Sequence, residues 1–202
     1  YIAGATLEEL SANNSLFSQD RAAELAIQLC DILESFHSCS PAIVNRDIKP
    51  ANLKLTPDGV LKLVDLNAAK RSDPDQTEDT VLLGTQGYAA PEQYGFGSSG
   101  VQTDIYAVGV LMNELVTGKL PKEQLADGPL GRIIAKCVEL DPKERYQSAA
   151  ALRQALLLRN NPQAARAFGI PGFRSKNPLL WIFSALGYGM LLLIGVDLQL
   201  DY

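Results

Sequence analysis

Only one histidine, His37, occurs in the 202 residues. That leaves no second imidazole for a His-rich metal site or a conventional Ser/His catalytic pair. Cysteine is scarce too: Cys30, Cys39 and Cys137 are odd in number and form no C-x-x-C pair, so neither a zinc knuckle nor a closed disulfide set is expected. Each is expected to be a buried small hydrophobe, and free thiols fit a reducing compartment. Aromatic residues contribute only 7%, yet 47% of the chain is hydrophobic and 20% charged. That composition suits one medium domain, or one domain with an appendage, and excludes collagen-like and mostly disordered classes. The chain begins on Tyr1 with no basic stretch leading into an apolar one, as a signal peptide would have, and a segment upstream is expected.

The net charge of -5 is unevenly spread. Residues 1–150 hold 13 basic and 21 acidic side chains, a balance of -8, whereas 151–176 hold five basic and no acidic ones. After these come only Asp197 and Asp201. An acidic main body argues against nucleic acid as a partner, since that binding needs clustered Lys and Arg.

Over 18–38 the apolar residues Ala22, Ala23, Ala26, Leu29, Leu33 and Phe36 recur at helical spacing, with Ser18 as N-cap and His37 as a helix-end imidazole facing carbonyls or the dipole. Short strand-like segments follow at 43–44, 53–55 and 60–64, the last two separated by the turn residues Pro57, Asp58 and Gly59. The stretch 71–100 lacks any sustained period and is expected to be loop. Helical pattern returns at 104–117, 132–140 and 148–158. Helix, small strands, long loop and more helices make an α+β order that is mainly α-helical, unlike a doubly wound sheet.

Between Lys176 and Asp197 the chain is uncharged, and 179–196 is a dense apolar run. Eighteen helical residues span about 27 Å, close to a hydrocarbon core of about 30 Å. A transmembrane helix is expected at 177–197, ahead of a tail at 198–202; a buried core helix is the alternative. Arg153, Arg159, Arg166, Arg174 and Lys176 precede it and only acids follow, so the positive-inside rule places residues 1–176 in the cytoplasm of a membrane-bound protein. The basic segment, including the linker 159–176, is equally suited to a solvated helix face or to anionic membrane lipid.

The densest polar cluster is Asn45-Arg46-Asp47-Ile48-Lys49-Pro50-Ala51-Asn52. Asp, Lys and Asn at i, i+2 and i+5 on a rigid loop aim a base, a cation and a neutral ligand at one point. Asp65 ends a strand-like segment and could share an oxygen-ligated Mg²⁺ with Asn52, the usual one or two protein ligands beside substrate phosphates. The combination suggests phosphoryl transfer.

R-D-I-K-P-A-N at 46–52, D-L-N at 65–67, G-T-Q-G-Y-A-A-P-E at 84–92, D-I-Y-A-V-G-V at 104–110 and Asp141-Pro142 with Arg145 resemble, in order, the C-terminal lobe of a bacterial Hanks-type Ser/Thr protein kinase. The resemblance covers residues 1–158 and implies a kinase-like lobe with small β-hairpins that uses ATP and Mg²⁺ on protein Ser/Thr acceptors. It further implies Asp47 as the base, Lys49 facing the transferred phosphate, Asn52 and Asp65 as Mg²⁺ ligands, and Thr85 holding Asp47 and the acceptor. Glu92 and Arg145 resemble a clamping ion pair, and Asp104 an anchor for the catalytic loop. Arg46 implies control by a phosphorylated activation segment, with Thr77 and Thr80 as candidate acceptors. The segment 1–7 resembles the hinge, where Ile2 would offer backbone groups to adenine and Thr6 would lie near the ribose. What precedes the hinge in the family, the N-lobe with its glycine-rich loop and its ATP-pairing Lys, is an absent partner, and this piece alone is expected to be inactive.

Three departures stand out. Asn45 replaces the family's His, which removes an imidazole that packs under the site. Leu66-Asn67 replaces Phe-Gly, a tolerable change because Asn accepts positive φ. Lys54 stands where the family places an apolar adenine floor. Gly95-Phe96-Gly97-Ser98-Ser99-Gly100 fits G-x-G-x-x-G but follows no strand, so a flexible connection is expected there, not a phosphate cradle. A pseudokinase or truncated membrane scaffold is the alternative reading.

Overall fold

Ser18 begins the first long helix: its hydroxyl accepts from Arg21 N, and the chain continues as a helix over Gln19–His37. The structure, a computed structural model, describes residues 2–12, 16–71, 85–95 and 97–160. Among the described residues five α-helices run in chain order: α1 (Leu7–Ser11), α2 (Gln19–His37), α3 (Val101–Thr117), α4 (Gly128–Cys137) and α5 (Ala149–Leu158). The strands are short: β1 (Ala5–Thr6), β2 (Ile43–Val44), β3 (Leu53–Leu55), β4 (Leu61–Leu63) and β5 (Lys70–Arg71). The α+β, mainly helical class is therefore observed.

The apolar stripe predicted on α2 is buried from Ala22 to Leu33 and packs against α3 and α5. Helix α3 buries residues on all sides, from Asp104 to Leu115, as expected for a central helix. Its Gly109 permits close contact with α4, because a Cβ there would lie 2.5 Å from Cys137 Cβ. Asn113 on α3 is buried and holds the loop beyond the helix, donating to the carbonyls of Lys119 and Gln124 and accepting from Ala126 N.

One antiparallel sheet has the order β1-β3-β4, and β2 pairs with β5 in a second. In the first, Leu53, Leu55, Leu61 and Leu63 turn one face to the helical core. Thr6, Lys54 and Lys62 lie in register on the other. Gly4 lets the segment before β1 lie against β3: its φ is +116°, and a Cβ would meet the Leu55 carbonyl oxygen at 2.1 Å.

Several boundaries differ from the sequence pattern. Helix α3 begins at Val101, and α4 starts at Gly128, with Pro129 in its first turn, and ends at Cys137. Strands β1 and β5 have two residues each, too few to display alternation. The stretch 71–100, expected as loop, contains a 3-10 turn at Pro91–Tyr94. Cys30 and Cys137 are buried as expected, but Cys39 is exposed. The apolar run 179–196, the linker 161–176 and the tail lie outside the described residues, as do Thr77 and Thr80. Among the described residues, no helix is long and apolar enough to cross a membrane.

Candidate active site

The loop between β2 and β3 is shaped by a buried carboxylate beneath it. Asp104 Oδ2 accepts from Asn45 N at 2.9 Å and Oδ1 from Arg46 N at 2.8 Å. These bonds fasten the loop where Arg46 takes φ +68°, a left-handed conformation that costs a non-glycine residue about 1–3 kcal/mol. Gln93 adds a third tie by donating to the Arg46 carbonyl at 2.8 Å.

His37 completes this anchor, and its place corrects the expectation of a helix-end imidazole facing carbonyls: Nε2 lies 2.8 Å from Asp104 Oδ2. Its Nδ1 is buried without a hydrogen-bond partner among the described residues. Asn45, which stands in place of an imidazole, makes polar ties instead: Oδ1 accepts from Asp47 N at 3.2 Å and Nδ2 donates to the Asp65 carbonyl at 3.4 Å, which joins the two acidic loops.

Above the anchor, four of the sequence-predicted residues converge. Asp47 Oδ1 accepts from the Thr85 hydroxyl at 2.7 Å, and Oδ2 accepts from Lys49 Nζ at 2.9 Å and Asn52 Nδ2 at 3.0 Å. Lys49 also donates to Thr85 Oγ1 at 2.8 Å. Partial burial opposes ionisation of Asp47, but the bonds from Thr85, Lys49 and Asn52 outweigh it and hold the pKa below the ordinary carboxylate value of 3.8. Asp47 is thus ionised at neutral pH, and Oδ1 keeps a lone-pair site for a further hydroxyl.

Asp65 follows Val64, whose N–H donates to the Asn52 carbonyl at 3.0 Å, so the two predicted Mg²⁺ ligands sit on neighbouring backbone. Asn52 donates from Nδ2 to both the Asp47 carbonyl and its carboxylate, which leaves Oδ1 as the donor a hard cation would take. Asp65 Oδ1 accepts from Asn67 N at 2.9 Å, and Oδ2 accepts no hydrogen bond among the described residues. Among the described residues no group of three or more His, Cys, Asp or Glu could hold a metal, so there is no all-protein cage. One carboxylate and one amide oxygen suit Mg²⁺ completed by substrate phosphates.

The other three predicted residues cluster on the first sheet. Thr6 pairs with Lys54 across β1 and β3, and Lys54 Nζ donates to the Ile2 carbonyl at 2.9 Å. The Thr6 hydroxyl has a structural duty: it caps α1 by accepting from Glu9 N, while Glu9 accepts from Thr6 N.

Thr85 is held through the segment that follows it. Arg145, fully buried, makes a two-pronged pair with Glu92 at 2.7 and 2.9 Å, and Thr103 donates to Glu92 Oε1 at 2.8 Å. Tyr88 donates to Glu114, a contact that the sequence reading missed because it joins residues 26 apart. Gly95 ends the 3-10 turn in the left-handed conformation and Gly100 is the N-cap of α3, consistent with a connecting role for this glycine-rich stretch.

An aspartate, a lysine and a threonine thus stand in mutual contact, with the side chains of Asn52 and Asp65 on neighbouring backbone. The protein kinase domain family matches residues 1–130, and the chain belongs to that family. It is 31% identical over 175 residues to a probable serine/threonine-protein kinase of Clostridium acetobutylicum, covering 74% of this chain and 26% of that protein. It is 34% identical over 179 residues to serine/threonine-protein kinase D of Synechocystis sp., covering 77% of this chain and 34% of the relative. A probable serine/threonine-protein kinase PknB of Corynebacterium glutamicum is 35% identical over 125 residues, which is 60% of this chain and 19% of that protein. The chain thus spans between a fifth and a third of the length of these relatives.

Proposed function

We propose that this chain is the acceptor-side lobe of a Ser/Thr protein kinase that transfers the γ-phosphoryl group of ATP to protein Ser or Thr hydroxyls. The observation that carries the reading is the contact of Asp47 with Thr85, Lys49 and Asn52 at 2.7 to 3.0 Å. An acceptor hydroxyl at the remaining lone pair of Asp47 Oδ1 gives up its proton there as its oxygen bonds to the γ-phosphorus. The bond from that phosphorus to the bridging oxygen breaks, and ADP leaves with the electron pair. Lys49 neutralises charge on the phosphoryl oxygens, and Thr85 fixes both Asp47 and the acceptor. Asn52 and Asp65 would hold Mg²⁺, which supplies charge neutralisation on the phosphates.

The base of the nucleotide rests, in this reading, against the Ile2 backbone and the side chain of Lys54. Ile2, Val64 and Leu66 are exposed apolar residues, which an N-lobe that encloses ATP would cover; transfer is expected to require such a lobe. A membrane anchor at 177–197, with the lobe on the cytoplasmic side, is supported by the uncharged run and the basic residues before it. A non-catalytic scaffold is the second reading, favoured by the ammonium of Lys54 on the Ile2 carbonyl.

Incubated with radiolabelled Mg-ATP and a protein acceptor, the full-length protein is expected to label Ser or Thr, and Asp47→Asn to lose that label. Equal labelling by the variant would remove the catalytic reading. In membrane flotation the protein is expected to travel with lipid and to stay behind after deletion of 177–202; flotation of the deleted protein would refute the anchor.

A further inference from the structure

Lys54 is the central residue on the open face of the first sheet. Its register neighbours on that face are Thr6 on β1 and Lys62 on β4. Two lysines directly opposite one another repel, by a few tenths of a kcal/mol up to about 1 kcal/mol. A lysine on a solvent-facing strand is ordinary when its ammonium reaches water. This one instead turns back across the sheet, and Nζ donates to the Ile2 carbonyl at 2.9 Å. A hydrogen bond from a charged donor is among the stronger ones, so the carbonyl is not lightly released.

The position gives this bond its consequence. Lys54 lies two residues along the strand from Asn52, about 7 Å of chain. Ile2 and Val64 are each about 40% exposed. An apolar side chain at 54 would offer a planar ring a dry contact and leave the Ile2 carbonyl open. The ammonium removes the first and occupies the second.

We propose that Lys54 is a specificity-determining residue of the nucleotide site that weakens nucleotide binding: its ammonium competes with the nucleobase for the Ile2 carbonyl and denies it an apolar floor. The proposal rests on the reading of this site as a nucleotide site. It makes the protein a weak binder of Mg-ATP whose affinity rises when Lys54 is drawn away. Simple electrostatics gives the opposite sign, because removing a cation lowers attraction for a polyanion.

The test is the dissociation constant of the full-length protein for Mg-ATP and for uncharged adenosine, by calorimetry, with Lys54→Leu, Lys54→Met and a Lys62→Leu control. Both Lys54 variants are expected to tighten Mg-ATP and adenosine about tenfold, a gain of about 1.4 kcal/mol. Lys62→Leu is expected to leave both within twofold. Two Lys54 substitutions, each checked by thermal melting, separate a binding effect from misfolding. Unchanged or weaker binding by folded Lys54 variants overturns the proposal, even if phosphoryl transfer to protein is normal. Tightened nucleotide binding without any transfer upholds the role of Lys54 and instead removes the kinase reading. Absence of nucleotide binding in every form overturns both.

Discussion

Arg145→Met in the full-length protein is expected to destabilise this lobe by about 3–5 kcal/mol, a large part of the 5–15 kcal/mol that keeps a typical domain folded. Arg145 is fully buried, and it does more than pair with Glu92. Its guanidinium donates to the carbonyls of Glu139, Leu140 and Gln102 at 2.8 to 3.1 Å, and it lies over the Tyr106 ring at 4.9 Å from the centroid. Methionine fills much of the volume but leaves three carbonyls without these donors and a carboxylate buried beside Thr103 alone. The double variant Arg145→Met with Glu92→Leu removes the stranded charge and is expected to recover only part of the loss, because the carbonyls stay unpaired. Urea unfolding of the lobe measures both. A loss under 1 kcal/mol for the single variant would mean that the pair is not the clamp described here.

Asp104→Ala is expected to act on the loop directly. Two backbone N–H groups, those of Asn45 and Arg46, lose their acceptor, at about 1–3 kcal/mol each when buried. His37 loses its partner as well. Without these bonds nothing equivalent offsets the left-handed strain at Arg46, so the loop relaxes and Asp47 moves off Thr85. Asp104→Asn offers one acceptor oxygen where two donors need one each, so it is expected to rescue only partly. Hydrogen exchange at the Asn45 and Arg46 amides is the readout, with exchange several hundredfold faster in Asp104→Ala. Unchanged protection there would show that the anchor lies elsewhere.

The long elements were legible because their apolar spacing is dense: the stripe on α2 and its Ser18 cap lie where the pattern puts them. The two-residue strands β1 and β5 were not, since pairings such as Ala5 with Leu55 join distant segments and leave no periodic trace. The residues of the reactive cluster were legible as short motifs, because a rigid loop fixes Asp47, Lys49 and Asn52 within six positions. What held them was harder to read. His37 and Asp104 stand 67 residues apart, and nothing local in either marks the contact. At Asn45 the missing imidazole was legible, but the two loops its amide bridges were not. Lys54 was visible as a departure, but the carbonyl it takes was not.

The division of labour between Asp47 and the metal ligands is tested most directly by measuring Mg-ATP binding and transfer to a protein acceptor on the same full-length preparations of Asp47→Asn and Asp65→Asn. Asp47→Asn is expected to bind Mg-ATP within about threefold of the parent yet to transfer about 10²–10⁴-fold more slowly, the usual contribution of a positioned base. Asp65→Asn is expected to lose the Mg²⁺-dependent part of binding. Transfer by Asp47→Asn at a tenth of the parent rate or more would contradict the assignment of Asp47 as the base.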